Sequence, residues 1–400
     1  MMEEVTLELS SLLFSPLINK AKEVAARFNF PLYLVGGPLR DILLKREVKD
    51  IDLVIDGDIF LFAKELAKSL NGKVVFYPQF LTAKIEGEGM VIDLARTRSE
   101  IYERPAQLPK VSPARIEDDL RRRDFTINAI AYDLRKREFF DPFNGKEDLK
   151  RGMIRVLHPR SFIDDPTRIL RGIRFAKRFG FRMEKDTRRW LEEAIKSSYL
   201  SLLSGERFLQ ELRLVMKEKN WLAMIKEINR LGIFKAYFGK NLPRRIVKSL
   251  SRIRKGRDVN PDSSLFYLLA SFPTAKLPLN REEKREIISF QKIPLLKKRL
   301  ARIKRPSTIY QLLKDLSTSA LGLIKELVSK ESRKKIEEFL KRSKEVKTIL
   351  TGKELKKLGI KPEVKYGEFL TKILYQRLDG KIKTKEEELG YLRKLLKRYG

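Results

Sequence analysis

Four hundred residues with 42% hydrophobic content are enough for two or more folded domains, and the absence of cysteine excludes disulfides, thiolate nucleophiles and cysteine-ligated zinc. Lys and Arg number 87 against 53 Asp and Glu, a net charge of +34. That imbalance points to a polyanionic partner, nucleic acid first, because a thermophile-style surface raises both signs together. One histidine, His158, excludes histidine-rich metal sites. Carboxylates are left as ligands and bases, and His158 reads as structural.

The acidic start MMEEVTLELS lacks the basic region of a signal peptide, and no run of about 18 uncharged apolar residues occurs. The cytoplasm is therefore the expected compartment, with no membrane span. Residues 1–30 read as helical, with Leu17, Ile18, Ala21, Val24, Ala25 and Phe28 at helical spacing. From 31 to about 140 the period shortens. LYLV (32–35), IDLVI (51–55), KVVFY (73–77), TAKIE (82–86), MVIDLA (90–95) and REFFD (137–141) are expected strands. ILLK and FLFAKELAKSL (60–70) are expected helices. Segment 96–120 is charged, carries Pro105, Pro109 and Pro113, and reads as a long mobile loop. Beyond 150 the spacing predicts helices at 167–179, 186–197, 205–218 and 220–231, then basic amphipathic helices to the end. Thr351 and Glu354 have capping-box spacing, and Gly359 reads as a helix stop.

Two features of the N-terminal part carry chemistry. Gly36-Gly37 closes a strand and Pro38 suits the first turn of a helix, so backbone N–H groups can approach a phosphate there. The pattern is neither a Walker A loop nor a complete Rossmann fingerprint. Asp50 and Asp52, two apart on a strand, leave the same face. Mg²⁺ is the natural counter-charge for such a pair, and Asp93 in MVIDLA could add a third, buried-looking carboxylate to a two-metal site.

GG-x-x-RD (Gly36, Gly37, Arg40, Asp41) followed by D-x-D (Asp50, Asp52) resembles the opening motif of template-independent nucleotidyltransferases. More closely, it is similar to that of class II tRNA nucleotidyltransferases, the CCA-adding and A-adding enzymes, and of bacterial poly(A) polymerases. RRDFTINA (122–129), DPFNGKEDL (141–149), DDPTRILRGIRFAKRFGF (164–181) and SGERFLQEL (204–212) resemble four further motifs of that family, in order. Asp164 stands where the family usually has Glu. LTGKELKKLGI (350–360) and LDGKIKTKEEEL (378–389) resemble its C-terminal segment.

The resemblance implies an α+β fold. A nucleotidyltransferase head with a mixed β-sheet (1–145) would precede an all-helical neck (146–215), body (216–275) and basic tail (276–400). It implies Mg²⁺ on Asp50 and Asp52 with Asp93 beside them, and triphosphate on Gly36, Gly37 and Arg40 with Asp41 in the motif. Ribose and phosphates would fall to Asp124, Arg122 or Arg123, and Asn128. Asp165 and Arg168 would read the base edges of ATP and CTP, since a carboxylate accepts from the amine that C and A share and a guanidinium donates. The implied reaction adds C, A or both to the 3′ end of tRNA, gripped at its acceptor–TΨC region. Addition of A alone, addition of CC alone, and poly(A) synthesis use the same motifs, and a catalytically silent RNA-binding protein is the reading from another class. On residue pattern alone, 164–181 is equally a capped helix with Arg168, Arg171, Arg174 and Lys177 on one basic face.

Overall fold

The computed structural model describes residues 12–48, 51–87, 90–254, 260–358 and 366–399. Asp50, Gly359 and the first eleven residues therefore lie outside the described part. The chain divides into two units, 1–241 and 242–400.

The first unit is built on a seven-stranded sheet. In chain order its strands are β1 (Leu32–Val35), β2 (Ile51–Ile55), β3 (Lys73–Tyr77), β4 (Thr82–Gly87), β5 (Met90–Arg96), β8 (Ala131–Asp133) and β9 (Glu138–Phe140). Their spatial order is β3-β4-β5-β2-β1-β8-β9. Only β2 and β5 pair in parallel, so the sheet is mixed, as the resemblance implied. Alternation sorts its two faces. Leu53, Ile55, Ala83, Ile85, Ile92 and Leu94 are buried on the face packed by the helix Ile59–Ser69, which packs in turn on Pro16–Arg27. The latter helix buries Leu17, Ile18, Ala21, Val24 and Ala25 at the expected spacing.

The opposite face is covered on one side only. Val35, Val54, Ala129 and Ala131 form a cluster with Ile116 and Leu120 of the helix Ile116–Arg121. Towards β3 the same face is open: Val75, Tyr77 and Val91 are 50%, 43% and 43% exposed. The site lies along the boundary between the covered and open halves.

Segment 96–120 is not a long irregular loop. β6 (Arg98–Ile101) and β7 (Lys110–Pro113) pair antiparallel, and the helix Ile116–Arg121 follows. Its charges satisfy one another, which is why composition suggested a solvated loop: Glu100 accepts from Arg98 (3.1 Å), Arg122 (2.8 Å) and the Tyr102 hydroxyl (2.9 Å). The helices Thr167–Phe179, Lys185–Lys196, Gly205–Lys217 and Trp221–Arg230 match the expected ones within a residue or two.

The second unit is helical from Arg244–Ile253 to Lys385–Tyr399. It holds 42 Lys and Arg against 18 Asp and Glu, hence +24 of the total +34. Residues of the motif-like segments of this unit make internal contacts. Thr351 and Glu354 form a reciprocal capping box. Asp379 accepts from the Ser307 amide and hydroxyl, both at 2.9 Å. Buried Glu388 accepts from the amides of Ile349 and Leu350 and from Arg377. No described helix is long and apolar enough to cross a membrane.

Candidate active site

β1 runs directly into the helix Gly36–Leu43. Gly36 adopts φ +70°, a conformation that costs any residue with a Cβ, and a Cβ there would stand 2.9 Å from Arg123 Nη1 and 3.4 Å from Asp52 Oδ2. Glycine is thus required by backbone conformation and by close approach together. The first amides of a helix lack intrahelical partners, so a helix start of this kind can receive an anion. Arg40, on the next turn, is 5% exposed. Its guanidinium lies 5.2 Å and 5.0 Å from the ring centres of Phe175 and Phe179 and donates to Asn128 Oδ1 at 2.6 Å. Burial lowers the Arg40 pKa, and Asp41, accepting from Nε at 3.0 Å, opposes that shift.

Asp52 and Asp93 are register partners on the parallel strands β2 and β5, about 4.8 Å apart at the backbone. Two carboxylates side by side supply the hard oxygen donors that Mg²⁺ takes, so the residues present fit the ion. Among the described residues no group of three or more His, Asp or Glu side chains gathers as a metal site. Asp93 is not buried as its apolar strand suggested. Its side chain is 56% exposed, with Lys84 Nζ 3.6 Å away, because it points to the open half of the sheet.

The segment Arg122 to Asn128 is held from several sides. Asp119, fully buried, accepts from Arg122 (2.8 Å) and Arg123 (2.9 Å). Burial alone would raise its pKa, but the two guanidiniums outweigh that and hold the carboxyl below its usual range. Asp124 accepts from Arg171 at 2.9 Å and from Asn128 at 2.8 Å. Its burial likewise works against the charge, yet Arg171 and Asn128 bring it down to about 2. The D-x3-G-x2-DL segment fastens this loop. Asp141 caps the amides of Gly145 and Lys146, and Asp148 accepts from Thr126 Oγ1 at 2.7 Å. A Cβ on Gly145 would fall 2.2 Å from the Thr126 carbonyl.

Asp165 and Arg168 open the helix Thr167–Phe179. Asp165 Oδ1 accepts from the Thr167 amide (2.9 Å), the Thr167 hydroxyl (2.6 Å) and Arg207 (2.7 Å). Arg168 donates to Ser161 Oγ at 2.6 Å and to the Arg122 carbonyl at 2.7 Å. The capped helix start is therefore real, and it also holds both side chains in the site. Arg207 further donates to the carbonyl of Ala106 in the β6–β7 turn at 2.9 Å.

The basic face expected along this helix is mostly internal. Arg168 and Arg174 are buried, and Arg171 and Arg174 pair with Glu211 of the S-x-ER-x3-E segment at 3.3 and 3.7 Å. Burial raises the Glu211 pKa against the pull of both arginines. Of the four basic residues only Lys177 is exposed.

Every described residue expected in the site, except Asp41 and Asp93, lines one cleft of about 410 Å³. Asp41 turns instead to Arg40. Asp93 lines an adjoining cavity of about 330 Å³ that shares Asp52 and Arg123 with the cleft. Four cleft residues were not among those expected in the site: Glu100, Tyr102, Arg171 and Phe175. The first two lie in the segment read as a loop. For Arg171, the signal was the helical spacing that put it one turn beyond Arg168.

Comparison with known proteins agrees with this geometry. Residues 32–155 match the poly(A) polymerase head domain. An A-adding tRNA nucleotidyltransferase of Halalkalibacterium halodurans is 33% identical over 94% of this chain and 91% of its own length. The A-adding enzyme of Aquifex aeolicus is 35% identical over 82% of this chain, which spans only 43% of that longer protein. Among solved structures, a CCA-adding enzyme in complex with ATP is 31% identical with a TM-score of 0.81, covering 98% of both chains. The Thermotoga maritima CCA-adding enzyme complexed with tRNA is 32% identical with a TM-score of 0.76, covering 97% of this chain and 98% of its own. The shared head, the full-length similarity and the ordered motifs gathered at one cleft show that the chain belongs to the class II tRNA nucleotidyltransferase family.

Proposed function

We propose that the chain extends the 3′ end of tRNA without a nucleic-acid template, in the cytoplasm, using CTP and ATP and releasing pyrophosphate. The observation that carries the reading is the single cleft joining the Gly36 turn and Asp52 to Asp165 and Arg168: it has a place for triphosphate, for ribose and for base. Gly36, Gly37, Arg40 and Arg123 hold the phosphates. Asp124 and Asn128, each already oriented by an arginine, address the ribose. Among the described residues no donor reaches Asp165 Oδ2, which leaves that oxygen to accept from the exocyclic amine of C or A. Arg168 donates its remaining N–H groups to the ring. Mg²⁺, held by Asp52 with Asp93 and Asp50, supplies charge stabilisation at the phosphate oxygens when bound.

In the reaction the 3′ oxygen forms a bond to the α-phosphorus. The bridging P–O bond breaks with its electron pair on pyrophosphate, and the hydroxyl proton passes to a carboxylate of the Asp52–Asp93 pair. Rate enhancement comes from positioning and electrostatics, as in phosphoryl transfer generally. Functionally the chain divides into head (1–145), neck (146–215), body (216–275) and tail (276–400). The +24 carried by the second unit serves to hold the acceptor–TΨC region of tRNA through its phosphates.

Both C and A fit the Asp165–Arg168 pair, which supports CCA addition. A second reading, addition of A alone to tRNA ending in CC, is favoured by the relatives named A-adding. Transcripts ending before CCA, after C and after CC, each given ATP, CTP or both, test the two. Growth by three nucleotides supports the first reading. Extension of the CC-ended transcript alone, with CTP inert, establishes the second, and long A tails on any RNA overturn both.

A further inference from the structure

The nucleotide cleft accounts for one side of Asp52. In-line displacement requires the attacking hydroxyl to arrive on the side opposite the leaving pyrophosphate. The adjoining cavity of about 330 Å³ meets the cleft at Asp52 and Arg123 and opens onto the uncovered half of the sheet. Strand register sets out its floor. One row across the sheet reads Val75, Lys84, Asp93, Asp52, and the next reads Tyr77, Thr82, Ala95, Val54. Adjacent strands are about 4.8 Å apart. Lys84 thus stands roughly 10 Å from Asp52 along the row, about one nucleotide's reach. Tyr77, 43% exposed, forms the outer wall.

The wall is braced. After Tyr77 the chain turns through Pro78–Phe80 and Leu81, which takes φ +51°. Arg98 donates to the Phe80 carbonyl, and the Arg96 amide donates to the Leu81 carbonyl at 2.9 Å. An aromatic ring exposed on a fixed turn, with a lysine beside it and an arginine opposite, has the chemistry of a single-stranded nucleic-acid platform. The ring stacks any base, and the cations take its phosphates.

On the strength of the function proposed above, we propose that this cavity is the acceptor subsite. Tyr77 stacks the terminal base of the RNA and Lys84 binds the last internucleotide phosphate, so that the 3′ hydroxyl faces the α-phosphorus across Asp52. Stacking suits this task because the terminal base changes as the RNA grows, and a hydrogen-bonding pocket would reject some of those ends. Tyr77 and Lys84 are positioning residues, and the bonds made and broken are those of the reaction already given.

Steady-state kinetics with a tRNA transcript and a fixed nucleotide test the assignment, using Tyr77→Ala, Tyr77→Phe, Lys84→Ala and Lys84→Arg. Tyr77→Ala raises the acceptor KM about tenfold or more, in line with the loss of one stacked base, while the nucleotide KM stays within about twofold. Tyr77→Phe, which keeps the ring, recovers most of that loss. Lys84→Ala weakens the acceptor and Lys84→Arg restores it. All four melt near the wild type, since both side chains are substantially exposed. Unchanged acceptor KM in both alanine variants, or an equal rise in nucleotide KM, overturns the subsite while addition by the wild type keeps the functional reading. A wild-type protein that adds nothing to any RNA overturns that reading and the subsite with it.

Discussion

Replacing Gly36 by alanine probes the proposed phosphate turn more sharply than removing a charge. The substitution forces φ +70° on a residue with a Cβ, at a cost of about 1–2 kcal/mol. At about 2–4 °C per kcal/mol for a unit of some 240 residues, Tm falls by roughly 2–8 °C. The same Cβ lies 2.9 Å from Arg123 Nη1, too close for the guanidinium to stay. Arg123 must move although Asp119 holds it at 2.9 Å, which disturbs the proposed phosphate site. Gly180 is the control. It has φ +73°, and a Cβ there would meet nothing within 4 Å, so Gly180→Ala carries the same strain without the displacement. Gly37→Ala completes the set: its Cβ would make ordinary contacts of 3.7 and 3.8 Å, leaving stability near wild type, yet it occupies the path by which a phosphate reaches the backbone. Calorimetry and nucleotide KM decide the matter. Gly36→Ala and Gly180→Ala should lose similar stability, while Gly36→Ala and Gly37→Ala, not Gly180→Ala, raise nucleotide KM about tenfold or more, the scale of one lost phosphate contact. Wild-type nucleotide KM in Gly36→Ala refutes the argument that this turn cradles the triphosphate.

Asp165→Ala and Arg168→Ala should each raise UTP incorporation relative to CTP, by an amount corresponding to about 1–3 kcal/mol of base discrimination; an unchanged ratio in both reduces the pair to a helix cap. The affinity for tRNA should fall linearly with salt on logarithmic axes with a slope of several units, as phosphate contacts by the +24 second unit require; a slope near one contradicts that role. Asp124, held at about 2 against an ordinary 3.8, stabilises the fold above about pH 4, and this contribution is lost as the pH falls towards 2. Asp124→Asn should therefore lower stability at neutral pH and flatten the acid limb between those values, as followed by denaturant midpoints.

The sheet and the first helices were legible because their signals are local. β1, β2, β4 and β5 are short apolar or alternating runs, and the helices after 167 keep a 3.6-residue period. The hairpin β6–β7 was not, because its stability comes from Glu100 satisfying Arg98, Arg122 and Tyr102, partners up to 22 residues away. β8 has three residues, too few to show a period. Within the site, the ordered motifs of the resemblance picked out Gly36, Asp52, Asp124 and Asp165, which line one cleft. The residue pattern misjudged the Arg171 and Arg174 face, since nothing near them in sequence announces Glu211, 40 residues from Arg171. Asp93 was misread for a related reason: an apolar strand hides which of its faces is covered.

The most direct test of the account is single-turnover transfer of labelled AMP to a tRNA transcript ending in CC, by the wild type and by Asp52→Ala, with tRNA affinity measured on the same preparations. The account predicts one added A by the wild type, loss of transfer by more than about a thousandfold in the variant, and tRNA binding unchanged within about twofold. Transfer by Asp52→Ala within tenfold of the wild type, or no transfer by a folded wild type that binds the tRNA, would contradict it.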